Sequence, residues 1–301
     1  MNGKNNSFQE SPRPIMKWAG GKRSLLPTLL NNLPSTFGDY YEPFFGGGAF
    51  YFKLYKEDFV RKATISDLNA DLIWLYTVIR DKLNEFIDSF DLTYFVSTKE
   101  RFYKIRSEFN RAKASKERSL IQAIRLMYLN KTCFNGLYRV NSKGEFNVPY
   151  GGYKNPSFYD EDNLKEVSKA LGFAEIRCQD FETVVQSSSK GSFVYFDPPY
   201  APLSDTADFT SYTKAGFSFS EQERLAKVFE SLDRKGCFVM ESNSATKAIR
   251  DLYSHFNILE VNASRAISAD GSKRGKISEL LITNYEATAL TRKQTLLSDY
   301  G

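Results

Sequence analysis

The chain has 301 residues, of which 42% are hydrophobic, 15% aromatic and 26% charged, as in a water-soluble protein with one large domain or a core domain carrying a smaller one. No apolar run is long enough to cross a bilayer, and the opening MNGKNNSFQES lacks the apolar centre of a secretory signal, so the cytoplasm is the expected place of work. The net charge of +5 is uneven: residues 98–145 hold twelve Lys or Arg against four Asp or Glu, and the aromatics that follow favour contact with a polyanion.

In chain order, RSLLPTLLNNL has helical spacing interrupted by Pro27. DYYEPFFGGGAFYFKLY reads as a short aromatic strand, a glycine turn and a helix. KATISDLNADLIWLYTVIRDKL reads as a strand ending near Asp67, then a helix capped by Asp67 or Asn69. Residues 70–130 are helical and basic, and 131–159 turn to Gly, Asn, Pro and Tyr, which predicts a β-hairpin with long loops. Helices and strands then alternate: a helix near 160–171, AEIRC, SFVYF, the helix SEQERLAKVFESL, CFVMES, the helix ATKAIRDLY, and strands near 257–263 and 278–284. Such alternation predicts an α/β fold with a largely parallel sheet, into which the basic middle is inserted. The predicted division is a catalytic domain of 1–69 and 160–301 and a recognition domain of 70–159.

PFFGGGAF lies between a strand and a helix, where backbone N–H groups closely approach a ligand at the strand ends. Asp67, at the end of the next strand, is placed to bind ribose hydroxyls. KWAGGK is not a phosphate loop, because Met16 stands where the first glycine belongs and Arg23 follows Lys22. Its aromatic residue, turn and lysine suit a small zwitterion, with Lys22 facing the carboxylate.

Cys133, Cys178 and Cys237 are odd in number and far apart, which fits a reducing compartment without disulfides. His255 is the only histidine. A zinc deaminase is thereby excluded, and a Ser-His-Asp triad would rest on a residue in the apolar YSHFNIL, where a structural role is simpler. VYFDPPYAPL carries stronger chemistry. An exocyclic amine is conjugated with its ring and is a poor nucleophile. Asp197 and the carbonyl of Pro198 can accept both its N–H bonds, which frees the lone pair to attack a sulfonium methyl in line. Tyr200 offers a stacking face for a base swung out of a duplex, and Pro198 and Pro199 keep the clamp rigid.

Taken in order, KWAGGK, EPFFGGGAF, ISDLNADLI, FNGLYRVNSKGEFNVPYG, DPPYAPLSDTADFTSY and RAISADGSKRGKISELLITNY make the chain resemble, over nearly its whole length, the Dam-type DNA adenine-N6 methyltransferases, the α-ordered D12 class. The resemblance implies a Rossmann-like methyltransferase sheet, S-adenosylmethionine as methyl donor, no metal, and double-stranded DNA as substrate of a monomeric enzyme. It implies that Trp18, Lys22, Phe45, Gly46, Gly47, Gly48, Asp67, Asp180 and Phe181 hold the cofactor. It further implies that Asp197, Pro198, Pro199 and Tyr200 bind the flipped adenine, with GATC as the expected target. Relatives often carry a basic residue after PYG; Gly152 here removes one expected phosphate contact and leaves the reaction.

In the insertion, Arg139 is expected to read a guanine from a ribbon in the major groove. Lys131 and Lys143 are expected on phosphates, and Lys17 is expected among the DNA-binding residues. Phe134 and Asn135 suit the gap left by a flipped base, and Leu137 and Pro149 suit packing on bases. The alternatives keep the amine clamp and change the substrate to cytosine N4 or RNA adenine, or make the chain a sequence-specific DNA-binding protein without activity. Cytosine C5 chemistry has no cysteine in a P-C setting to attack the ring.

Overall fold

The computed structural model describes residues 12–200, 217–264 and 276–287. Parts of two motifs, 201–212 after DPPY and 265–275 before KISELLITNY, lie outside the described residues, as does the N-terminal 1–11. Two compact units divide the chain: Gly46–Arg61 and Asp67–Cys178 with the segment up to Gly21, and Lys22–Phe45, Lys62–Ser66 and the chain from Gln179 onward. None of the described helices is long and apolar enough to cross a membrane.

The second unit contains α1 (Leu26–Asn31), β1 (Tyr40–Glu42), β2 (Ala63–Ser66), α8 (Phe181–Val185), β4 (Phe193–Phe196), α9 (Phe219–Lys235), β5 (Phe238–Ser244), α10 (Lys247–Leu252), β6 (Asn257–Ser264) and β7 (Lys276–Thr283). Within this unit the strands run in the order β2-β1-β4-β5-β7-β6. β1 pairs in parallel with β2 and β4, and β4 with β5, while β7 runs antiparallel to β5 and β6. The fold is α/β, a Rossmann-like sheet as predicted. β1, β2 and β4 are buried at every position. Central parallel strands covered on both faces need that continuity in place of alternation. Leu225, Phe229 and Leu232 of α9 enter a core with Val194, Phe196, Val239, Ile249, Tyr253, Leu280 and Ile282.

The first unit contains α2 (Ala49–Lys56), α3 (Ala70–Asp81), α4 (Leu83–Ser89), α5 (Lys99–Ala114), α6 (Leu120–Thr132), α7 (Glu161–Leu171) and β3 (Ala174–Arg177). α5 buries Phe102, Ile105, Phe109 and Ala112, one face of its turns, and keeps its basic residues outside. α6 is buried nearly all round, packed by α3 and α5. Polar caps start the helices: Thr98 for α5, Ser119 for α6, Asp160 for α7 and Ser218 for α9.

Two details differ from the sequence reading, and a third decides between two caps that it left open. Pro27 sits in the first turn of α1 and starts the helix, since its missing N–H would have had no helical partner there. Asn69 alone caps α3, accepting from the N–H groups of Asp71 and Leu72. The hairpin of 131–159 reduces to two isolated antiparallel bridges, Cys133 with Tyr150 and Val140 with Phe146, around a 3₁₀ turn at Phe134–Gly136. The reversal is closed by backbone bonds from the Asn141 N–H to the Glu145 carbonyl and from the Asn147 N–H to the Arg139 carbonyl, while Asn110 donates to the Phe146 carbonyl and accepts from its N–H. Because Asn69 bonds two orphan donors, Asn69→Ala should lower stability by about 1 kcal/mol in equilibrium urea unfolding.

Candidate active site

In the second unit, β4 ends on Asp197, and the Lys22 ammonium lies 2.7 Å from its Oδ1. Lys22 is buried at 6% exposure, and the Asp197 side chain retains 18%. The same Nζ stands 4.4 Å from the centroid of the Tyr200 ring, whose hydroxyl donates to Glu279 Oε2 at 2.8 Å. Between them, the Pro199 carbonyl accepts from Gln222 Nε2 at 3.1 Å. The D-P-P-Y segment is therefore fastened at its acid, its last proline and its ring. Burial pushes the Asp197 carboxyl up to about 6, although Lys22 pulls it down; Glu279 adds to the rise. Burial, with Asp197 and Glu279 nearby, also raises the Tyr200 hydroxyl, which stays protonated.

Two other expected cofactor residues of this unit are committed to protein partners. Asp180 caps α8 and accepts two hydrogen bonds from Arg224, both at 2.8 Å, which hold its carboxyl below the usual range. Phe181 is buried among Phe44, Phe196 and Phe217, with the Arg224 guanidinium 4.0 Å from its ring centroid. Phe45 is buried, its N–H donating to the Ser66 carbonyl at the point where the chain passes into the glycine turn.

In the first unit, Asp67 spans that turn and the start of α3. Its Oδ2 accepts from the Gly46 N–H at 3.0 Å and its Oδ1 from the Asn69 N–H at 2.8 Å. Burial raises its carboxyl, and these two donors oppose the rise. Gly46 has φ of +48°, and a Cβ there would lie 2.8 Å from Trp18 Cδ1. Gly47 also lies against Trp18, and Gly48, with φ of +67°, caps α2 without a side-chain bond. Trp18 stacks on Tyr138 with centroids 5.5 Å apart. The Tyr138 hydroxyl donates to Asp71 Oδ2 at 2.6 Å, where Lys113 also binds.

The expected DNA-contacting residues all lie in this first unit. Arg139 is exposed, and its Nε donates to Asn147 Oδ1 at 2.8 Å, which orders the side chain. Lys143 is exposed at a turn closed by Asn141. Phe134 is 45% exposed, and its N–H donates to the carbonyl of the exposed Pro149. Asn135 holds a left-handed φ of +56° and donates its N–H to the Tyr153 hydroxyl. Leu137 and Lys131 are half-buried. Lys17 is exposed, with its backbone clasped by Asn130, which also binds the Gly136 carbonyl. Gly152 has φ of +71°, so a basic residue there would be strained.

The sequence reading did not single out Gln222, Glu279, Arg224, Tyr138 or Asn130. Gln222 and Asn130 had a signal, being polar residues at apolar positions of a helical pattern. The carboxylate on β7 had none, since only the fold brings it to Tyr200. Gly46→Ala should destabilise the protein by on the order of 1–2 kcal/mol in thermal or urea unfolding, from a left-handed φ and the collision with Trp18 together.

A family model for the D12 class N6 adenine-specific DNA methyltransferases matches residues 18–267. The chain is 46% identical over 287 residues to Type II methyltransferase M.MjaIII of Methanocaldococcus jannaschii, covering 91% of this chain and 99% of that protein. It is 44% identical over 275 residues to Type II methyltransferase M1.LlaDCHI of Lactococcus lactis subsp. cremoris, covering 91% and 95%. With the DNA adenine methylase of Escherichia coli K12 it shares 36% identity over 272 residues, covering 89% and 94%. The family model and these relatives agree, and the chain belongs to the D12 class of N6 adenine-specific DNA methyltransferases.

Proposed function

We propose that the protein transfers the methyl group of S-adenosylmethionine to N6 of adenine within GATC in double-stranded DNA, acting on a base swung out of the helix. The observation that carries this reading is Asp197 held at 2.7 Å from Lys22, beside a proline-locked segment and an anchored Tyr200. Asp197 and the Pro198 carbonyl accept the two N–H bonds of the adenine amine and turn its lone pair toward the methyl group. S-adenosylmethionine, when bound, supplies an electrophilic sulfonium methyl. The amine nitrogen would form the new N–C bond as the methyl–sulfur bond breaks, with the electron pair of that bond staying on sulfur, and its surplus proton would pass to solvent. Tyr200 stacks on the adenine with the face that Lys22 does not cover. The cytosine-N4 and RNA alternatives lose to the family, and the inactive-protein alternative conflicts with an intact clamp.

The donor set of the glycine turn suits this cofactor. Each Asp67 oxygen accepts one backbone N–H and keeps a second lone pair for ribose hydroxyls. Gly46, Gly47 and Gly48 let the backbone approach the ligand, with Trp18 packing on it and Phe45 setting the strand end. Lys22 has three donors, one directed at Asp197, and serves the cofactor carboxylate as well. Asp180 and Phe181 border the adenine moiety through their Arg224-braced positions. Residues 1–69 and 160–301 form the catalytic domain, and 70–159 recognise DNA. There Arg139 reads a guanine, Lys17, Lys131 and Lys143 meet phosphates, Phe134 and Asn135 fill the vacated stack, and Leu137 and Pro149 pack on bases. The enzyme works as a monomer, without metal, in the cytoplasm.

Asp197→Asn should reduce single-turnover methyl transfer by about a hundredfold or more while cofactor affinity holds. Asparagine is the cleaner replacement, because Asp197→Ala also strips the buried Lys22 of its partner. The wild-type rate should fall as pH drops below about 6, since the protonated Asp197 no longer accepts from the amine; a rate flat from pH 5 to 8 would remove it from the reaction. Asp67→Ala should weaken S-adenosylmethionine binding in calorimetry well beyond its effect on melting temperature, since Asn69 and not Asp67 caps α3.

Arg139→Ala should cost about 1–3 kcal/mol of discrimination at one guanine position, measured on duplexes carrying each single-base change in GATC. Uniform loss across these duplexes, with a salt slope lower by about one unit, would instead make Arg139 a phosphate contact. The same duplex series, with plasmids challenged by methyl-sensitive nucleases, tests GATC itself.

A further inference from the structure

Beneath the D-P-P-Y segment, the second unit buries a chain of polar side chains that the reaction above does not use. Gln222, Asn243, Glu241 and Tyr253 are each 0% exposed. The Tyr253 hydroxyl donates to Glu241 Oε2 at 2.7 Å, and Asn243 Nδ2 donates to Glu241 Oε1 at 2.8 Å. The same Asn243 amide donates to Gln222 Oε1 at 2.9 Å, and Gln222 Nε2 donates to the Pro199 carbonyl at 3.1 Å. Asn243 Oδ1 accepts from the Ser244 N–H. Gln222 heads the stripe of α9 that continues as Leu225, Ala226, Phe229 and Leu232, where an apolar side chain would fill the core at lower cost. A polar chain in that place is favourable only when every member is bonded, and here each link is made.

The direction of these bonds is fixed from one end. While Glu241 is ionised both its oxygens accept, so Asn243 turns its amide nitrogen toward Glu241 and has its second proton left for Gln222; burial raises that carboxyl to about 7, against the Asn243 and Tyr253 hydrogen bonds. Gln222 then accepts on its oxygen and can present only its nitrogen to Pro199. Pro198 and Pro199 have no N–H, so the backbone of this pair can be held by hydrogen bonds only through its carbonyls. Resting on the reading of 197–200 as an amine clamp, we propose that Gln222 is a positioning residue for methyl transfer, holding the Pro199 carbonyl so that Asp197 and the Pro198 carbonyl keep their acceptor geometry, with Asn243 and Glu241 setting the orientation of its amide. Gln222 touches neither substrate nor cofactor in this scheme; it acts through the proline pair.

The test uses the full chain with tritiated S-adenosylmethionine and a GATC duplex, comparing the wild type with Gln222→Met, Gln222→Glu and Asp197→Asn. Gln222→Met keeps the length and removes the amide, and Gln222→Glu sets an oxygen against the Pro199 carbonyl. Both should lower the single-turnover rate constant by about tenfold or more, with cofactor and DNA Kd within about twofold of wild type. Glu241→Gln, which lets the amides reverse, should lower the rate in the same direction. A wild-type rate in Gln222→Met overturns the proposal, and so does a loss of cofactor affinity that matches the loss of rate, since that marks a general structural role. Where Gln222→Met does not fold, the isosteric Gln222→Glu carries the same expectation and the same overturning results. Asp197→Asn separates the two ideas: normal transfer in that variant sinks the clamp itself, whereas its inactivity beside an active Gln222→Met sinks only the positioning role.

Discussion

An ammonium and a carboxylate 2.7 Å apart, both largely withdrawn from water, govern the chemistry of the second unit. Either charge alone would be costly at that depth; together they offset each other's desolvation only if the geometry is held. The rest of the segment supplies that holding. Two prolines limit the backbone after Asp197, Gln222 fixes a carbonyl, and Glu279 fixes the ring hydroxyl. Lys22 serves twice, as the partner of Asp197 and as the cation over the Tyr200 ring. Burial lifts the Asp197 carboxyl to about 6; Lys22 opposes that rise and Glu279 adds a little to it.

In the first unit, labour is divided between neighbours. Asn69 satisfies the first N–H groups of α3, which leaves the Asp67 carboxylate to tie the Gly46 N–H to the Asn69 N–H. Trp18 closes over Gly46 and stacks on Tyr138, whose hydroxyl ends on the buried Asp71 beside Lys113. Tyr138 precedes Arg139, so the exposed arginine follows a residue anchored in the packed interior, which lowers the ordering cost of any contact it makes.

Residues 131–159 reach their shape with little regular structure. Asn110, Asn130 and Asn141 bond their backbone groups, and left-handed turns at Asn135 and Gly136 redirect the chain. A ladder would repeat one geometry along the strand. Side-chain amides allow each turn its own, which suits a surface carrying exposed Phe134, Arg139 and Lys143 at different angles. Turn residues and aromatics announce the chain reversal, which is made in antiparallel pairing at Val140 and Phe146 and at Cys133 and Tyr150 without growing into longer strands.

The sequence by itself determined the α/β order, the helix starts at Ser, Thr, Asn and Asp, the glycine turn, the acid after β2 and the D-P-P-Y segment. Each of these rests on local chemistry: period, cap, φ or ring constraint acts within a few residues. It left open which of Asp67 and Asn69 caps α3, and it gave Lys22 to a ligand carboxylate without seeing Asp197. Only the tertiary structure decided the partners of Lys22, Tyr200 and Asp180, and the buried run from Pro199 through Gln222, Asn243 and Glu241 to Tyr253. Those pairings join residues far apart in the chain. Nothing in a local pattern says which polar side chain will be left facing another once the apolar faces of β4, β5, β7 and α9 have closed over the core.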